Sequence, residues 1–252
     1  MNRRELMLGV GVVTVQRVAF AAKRFTSQVP AQSALQGSGI ASLPQVVAGI
    51  RLVDSKIARN ATALGQSVYP PYLFNHAVRT YLLGALTGRA RGQHFDEELL
   101  FLACILHDLG LTERFEGDMP FEIQGAESAK HFLEENGYAA EGIQTVWDGI
   151  AMHASAIGQF KRPEIALVAE GAGVDVLGPD SAKITKSDLE EILKAFPRLG
   201  FKNAFIQTCA EVLRKHPRSA SRGFMRDIGE RHVRDFHPHN FCDLLAQAPF
   251  PD

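Results

Sequence analysis

The hydrophobic and polar positions alternate at helical spacing along most of the chain, with one exception. Phe101-Leu102-Ala103-Cys104-Ile105-Leu106 is apolar on every side and runs directly into His107-Asp108-Leu109-Gly110. Asp96, Glu97 and Glu98 stand just before it, where a helix start favours acidic side chains, and Gly110 stands where a helix end favours glycine. The pattern predicts one helix from about 97 to 109. A helix without a polar face belongs in the middle of a core. A titratable pair at the end of it is costly unless each group has a partner, so something must neutralise Asp108.

The flanking stretches read as amphipathic helices around that centre. Asp54 can cap a helix containing Ile57, Ala58, Ala61 and Leu64, and Tyr69-Pro70-Pro71 breaks it before a second, mostly apolar helix that carries His76. Gly88-Arg89-Ala90-Arg91-Gly92 reads as a polar turn with solvated arginines. A helix over about 121–136 stops at Gly137 and carries His131, with Glu127 at the spacing for an ion pair. Ile143, Val146, Trp147, Ile150 and Ala154 form the stripe of the next helix, with His153 at its edge. From Pro163, the spacing Ile165, Val168, Ala169, Ala172, Asp175, Val176 places a carboxylate on an apolar stripe. Ser187-Asp188-Leu189-Glu190 reads as a capping box, Ala204 to Leu213 as a helix stopped by Pro217, and Phe224 to His232 as a last amphipathic segment. With no strand-period segment, repeat or glycine-rich phosphate loop, the expected fold is all-α: a helical bundle with irregular N- and C-terminal extensions.

Composition narrows the function classes. A length of 252 residues suffices for one sizeable core. The formal net charge of -1 offers no basic excess for nucleic acid, so no nucleic-acid partner is expected. Cys104, Cys209 and Cys242 are odd in number and unrelated in spacing, which supports neither a disulfide scaffold nor a zinc ribbon. Residues 1–22 combine Arg3-Arg4, the apolar run Leu8 to Val15 and Ala19-Phe20-Ala21, the make-up of a twin-arginine export signal, and predict a periplasmic or otherwise exported protein, with a cytoplasmic one as the alternative. The run is far shorter than the roughly 20 residues of a membrane span, so no stable span is expected. Residues 23–45 read as a linker or strap, and 46–252 as the functional domain.

His76, His107, Asp108 and Asp175 place two imidazoles and two carboxylates on three largely apolar helices. Borderline nitrogen and hard oxygen ligands together suit a divalent cation. The same four residues, in that order and setting, resemble the HD-domain metallohydrolase superfamily, from about Asp54 to Phe224. Phe121-Glu122-Ile123-Gln124-Gly125-Ala126, Val146 to His153 and Gly171 to Gly178 look like the cyanamide hydratase group of that superfamily.

The resemblance implies one divalent ion held by His76, His107, Asp108 and Asp175, with zinc favoured and iron or manganese permitted. Superfamily members with two metals place a histidine four residues before the glycine of a Gly-Ala-Glu segment. Here that position is Phe121, which implies a mononuclear site. Asp108 and His153 would be catalytic, and Asn75 and Phe121 would meet the substrate. Leu111 replaces the lysine that serves phosphate in related phosphohydrolases, which fits a small neutral substrate. The expected reaction is hydration of a cyanamide-like nitrile. An HD-type phosphohydrolase acting on a small phosphoester or nucleotide is the alternative, and a degenerate binding protein the third reading. Of the nearby cations, Arg79 is expected to point away from the ion and Arg114 to lie in a loop over it. A His237-Pro238-His239 clamp is read as plain surface. The partner is a small molecule, and homo-oligomer formation is left open.

Overall fold

The apolar run forms α3, Glu97–Leu106, and every residue from Leu99 to Leu106 is buried. The Asp96 carboxylate accepts hydrogen bonds from the Glu98 and Leu99 amides, while Glu97 and Glu98 occupy the positive end of the helix. The helix stops three residues short of the expected 109. The chain tightens into a 3-10 turn at Leu109–Leu111, and His107 turns its ring back onto the Cys104 carbonyl. Gly110 does not take the left-handed conformation of a helix cap. A Cβ on it would meet the Phe121 carbonyl oxygen at 2.0 Å, so the glycine serves close backbone approach instead.

In this computed structural model the described residues are 42–178, 184–219, 223–238 and the single positions 240, 242 and 247. The segments expected to be the export signal and, for nearly all of 23–45, the strap, together with His239 and most of the tail from 241 to 250, lie outside them. The described residues belong to one compact unit, Ile40–Asp252. Around α3 stand α1 (Lys56–Val68), α2 (Pro71–Ala90), α4 (Phe121–Glu135), α5 (Ala140–Met152) and α6 (Pro163–Leu177). α7 (Lys186–Ala195), α8 (Phe201–Lys215) and α9 (Gly223–His232) follow, with α8 packed on α2 and α9 on α8. No helix among the described residues is long and apolar enough to cross a membrane.

Several local expectations shift. A short antiparallel hairpin, β1 (Val46–Val47) and β2 (Ile50–Arg51), precedes the helices, turning through Ala48 and Gly49 with φ of 47° and 70°. Two-residue strands are too short to show a period. Ser55 rather than Asp54 caps α1, accepting from the Ala58 amide. Thr185 rather than Ser187 caps α7, accepting from the Asp188 amide. Arg89 and Arg91 are not merely solvated, since they pair with Glu97 and Glu170.

The seating of α2 on α6 positions the chemistry. The helices run antiparallel, and glycines let their backbones touch. A Cβ on Gly84 would lie 2.6 Å from the Leu167 carbonyl oxygen, and one on Gly171 would lie 2.1 Å from that of Thr80. Gly84 faces Leu167 and Thr80 faces Gly171. One further turn in the same register brings His76 of α2 against Asp175 of α6.

Gly171→Ala should therefore lower the free energy of unfolding by about 1–3 kcal/mol, the usual cost of overpacking. Gly173, two residues on, has nothing within 4 Å of a built Cβ. Gly173→Ala should be neutral or stabilising by up to about 1 kcal/mol through helix propensity. Urea unfolding of the two variants checks the contrast.

Candidate metal centre

His107 and Asp108 are delivered by the end of α3, His76 by the second turn of α2 and His153 by the end of α5. His76, His107 and Asp108 are essentially excluded from solvent. His107 Nε2 lies 3.2 Å from Asp108 Oδ2, His76 Nε2 lies 3.6 Å from the same oxygen, and the two Nε2 atoms are 3.3 Å apart. These three side chains form the one group among the described residues whose geometry could hold a metal ion.

The hydrogen bonds fix what those three atoms offer. The Cys104 carbonyl can only accept, so His107 donates Nδ1–H to it at 2.7 Å, which in the neutral ring leaves a lone pair on Nε2. His76 donates Nδ1–H to the Asp175 carboxylate at 2.7 Å, which leaves its Nε2 bare as well. Asp108 Oδ2 is buried with no hydrogen-bond partner. Three lone pairs thus face one another in a dry core, an arrangement that requires positive charge between them. A triangle with these edges has its centre about 2 Å from each corner, the length of a metal–imidazole or metal–carboxylate bond. The residues fit a divalent ion. The far nitrogen of each histidine is held by an acceptor, as ligating imidazoles usually are.

The electrostatics agree. Burial would raise the Asp108 carboxyl, but His107, His76 and His153 outweigh it and hold it at about 2. Burial depresses His107, yet Asp108 and the Cys104 carbonyl overcome this and raise it, so the cluster draws in a cation. Burial lowers His76, against the opposing pull of Asp175 and Asp108. Burial, helped by His107, brings His153 down to about 4. His153 donates Nδ1–H to the Ile150 carbonyl and turns Nε2 towards Asp108 Oδ1 at 4.0 Å. It sits at the site as expected.

Not every expected residue joins. Asp175 lies behind His76, against Nδ1, and both its oxygens are engaged by Arg79. Arg79 was expected to point away from the ion. It is fully buried and turns onto this carboxylate, because an arginine in the apolar interior needs a counter-charge and the α2–α6 register supplies one. Asn75 donates to the Pro197 carbonyl, in the connection between α7 and α8. Arg114 is exposed and stacks on Phe115. His131 lies beside Glu134, 3.6 Å away, whereas Glu127 accepts from the Trp147 indole.

Phe121 meets the site through its ring, 5.5 Å from that of His153. It belongs to a closed circuit that local periodicity did not show. His76 packs on Phe201 at 4.8 Å, Phe201 on Phe205 at 5.1 Å and Phe205 on Phe224 at 6.0 Å. Phe224 then meets Phe121 at 5.7 Å, and the circuit returns through His153 and His107 to His76. Two other residues were missed. Tyr69 is buried beside Asp108, and burial, followed by the Asp108 charge, pushes its hydroxyl up against the opposing pull of the Asp108 backbone. Glu122 follows Phe121 and is pushed up to about 7 by burial, with a smaller contribution from Asp108.

Residues 73–170 match the HD domain family, a span that contains His76, His107, Asp108 and His153 and ends before Asp175. An uncharacterized protein of Clostridium beijerinckii is 34% identical over 59 residues, which is 23% of this chain. The matched stretch spans 38% of that relative's length. The chain thus carries an HD domain, the mark of a superfamily of metal-dependent hydrolases, and its His-His-Asp cluster fits the metal site of such a domain.

Asp108→Ala should weaken zinc binding by more than about 100-fold, beyond the range caused by losing an outer partner of a ligand. His131→Ala should leave it unchanged. Competition with a chromophoric chelator measures both.

Proposed function

We propose that the protein is a metal-dependent HD enzyme that adds water to a small neutral substrate, a nitrile of the cyanamide kind. The observation that carries this reading is the composition of the wall beside the cluster: Phe121, Phe201, Phe205 and Phe224. Phosphoryl transfer spreads charge over several oxygens and draws on cations besides the metal. Arg79 and Arg198 are both committed to Asp175, and Arg114 lies on Phe115. Among the described residues, the charged contacts of the four site side chains are with one another and with Asp175.

His76, His107 and Asp108 would hold the ion. When bound, a divalent ion supplies Lewis-acid polarisation and a water acidified towards neutral pH. Asp108 divides its work between two oxygens, with Oδ2 turned to the histidines and Oδ1 to His153. Held near a pKa of about 2, the carboxylate is ionised at neutral pH and accepts hydrogen bonds. His153 is neutral at that pH, so its Nε2 is also an acceptor. A water or substrate N–H lying between Oδ1 and Nε2 can donate to either. In nitrile hydration the water oxygen bonds to carbon and one water proton passes through Asp108 Oδ1 to the nitrile nitrogen, giving the imidic acid; its O–H proton then moves to the same nitrogen, and the product is the amide. For cyanamide that product is urea. The phenyl rings keep bulk water from the charged centre, which strengthens each interaction within it.

Zinc-loaded protein should hydrate cyanamide or a similarly small nitrile and release little or no phosphate from nucleoside phosphates. Product formation, followed as the amide and as inorganic phosphate in parallel, tests this. Metal-dependent phosphate release that is lost in Asp108→Ala, with no nitrile hydration, would reverse the assignment.

A further inference from the structure

Asp175 is surrounded by donors. Arg79 gives Nε to Oδ1 at 2.7 Å and Nη2 to Oδ2 at 2.8 Å. His76 gives Nδ1–H to Oδ2 at 2.7 Å. Arg198 adds Nη1 to Oδ1 at 3.1 Å and to the Asp175 carbonyl at 2.7 Å. A planar guanidinium holding both carboxylate oxygens is the strongest form of charge-assisted pair. Arg79 is 0% exposed, so a carboxylate that left it for a metal ion would strand a guanidinium in the core. The nitrogen of His76 that Asp175 touches is also the wrong one for sharing an ion, since Nε2 is the atom that faces His107 and Asp108.

We propose that Asp175 is the orienting carboxylate of His76 rather than a metal ligand, and that Arg79 is the positioning residue that keeps it in that role. The line Arg79–Asp175–His76 fixes the proton on Nδ1 and aims the Nε2 lone pair into the cluster. Arg79 also draws charge from the carboxylate, which makes His76 a weaker base than an unpaired carboxylate would. The same arginine donates Nη1 to the Phe196 carbonyl at 3.1 Å and to that of Pro197 at 3.3 Å. The guanidinium of Arg198 lies 4.7 Å from the centre of the Phe201 ring, which packs on His76. Residues 196–198 thereby join the ligand's anchor to the aromatic wall. This inference rests on the cluster being a metal centre.

Proton–nitrogen NMR of the 15N-labelled wild-type imidazoles provides the first test. The hydrogen-bonded Nδ1 proton of His76, assigned through its own ring correlations, should be present at low field in the metal-free protein and persist after zinc loading. Its loss on loading would show that Asp175 has left His76 and would overturn the proposal. The second test is Asp175→Asn, which keeps an acceptor for Nδ1–H. Zinc affinity should fall about 10- to 100-fold, the effect of losing an outer partner. The number of ions bound at saturation and the cobalt(II) absorption spectrum should stay as in wild type. A changed cobalt spectrum in Asp175→Asn, with wild type still binding one ion, would overturn this proposal alone. Failure of wild type to bind any divalent ion would overturn the metal centre, and this proposal with it.

Discussion

Three lone pairs brought together in a dry core are the constraint on which this structure turns. His76 Nε2, His107 Nε2 and Asp108 Oδ2 lie 3.2 to 3.6 Å apart with no hydrogen bond to satisfy the oxygen. Such a cluster is unfavourable without a cation and favourable around one. Much of the surrounding architecture serves to hold it. The apolar helix α3 anchors two of the groups, and the end of that helix bends so that His107 reaches back to Cys104. The third arrives because Gly84 and Gly171 let α2 and α6 touch, and every turn of that register carries His76 towards its place opposite Asp175.

Electrostatics divide the site into two sides. Behind His76, the carboxylate of Asp175 and two guanidiniums form a saturated network, in which Asp175 and Arg79 are buried and Arg198 is partly exposed. In front, Asp108 Oδ1 and His153 Nε2 are both acceptors and face each other across 4.0 Å. Phenylalanines complete that side. The charged network and the apolar wall meet at Phe201, which packs against both His76 and Arg198. A ligand entering beside the cluster would meet rings and acceptors rather than arginines, which is the basis for proposing a neutral substrate.

Much of this was legible in the residue order, and the gaps have physical causes. An all-apolar helix ending in His-Asp has no polar face to turn to solvent, which marks the centre of the core and a buried charge needing a partner. The stripe containing Asp175 correctly placed that residue on the buried face of α6. Its true partner was not legible, because whether Arg79 points to solvent or to Asp175 depends on the register of two helices about 90 residues apart in sequence, and glycines with no side-chain signal set that register. The hydrogen-bond partner of Asn75 was hidden for the same reason, since its acceptor, Pro197, comes from another part of the chain. The caps shifted by one or two residues because Asp54 and Ser55, or Thr185 and Ser187, are chemically equivalent until the backbone chooses between them. Phe201, Phe205 and Phe224 are ordinary stripe residues in their own helices. Only their convergence on His76 and Phe121 gives them a role.

The most direct test of the central claim is to strip the purified protein of metal and titrate it with zinc in a calorimeter. The geometry predicts one ion per chain, bound with the release of protons as the buried cluster gives up the positive charge it otherwise attracts. Two ions per chain, or no binding at all in a protein that remains folded, would contradict it.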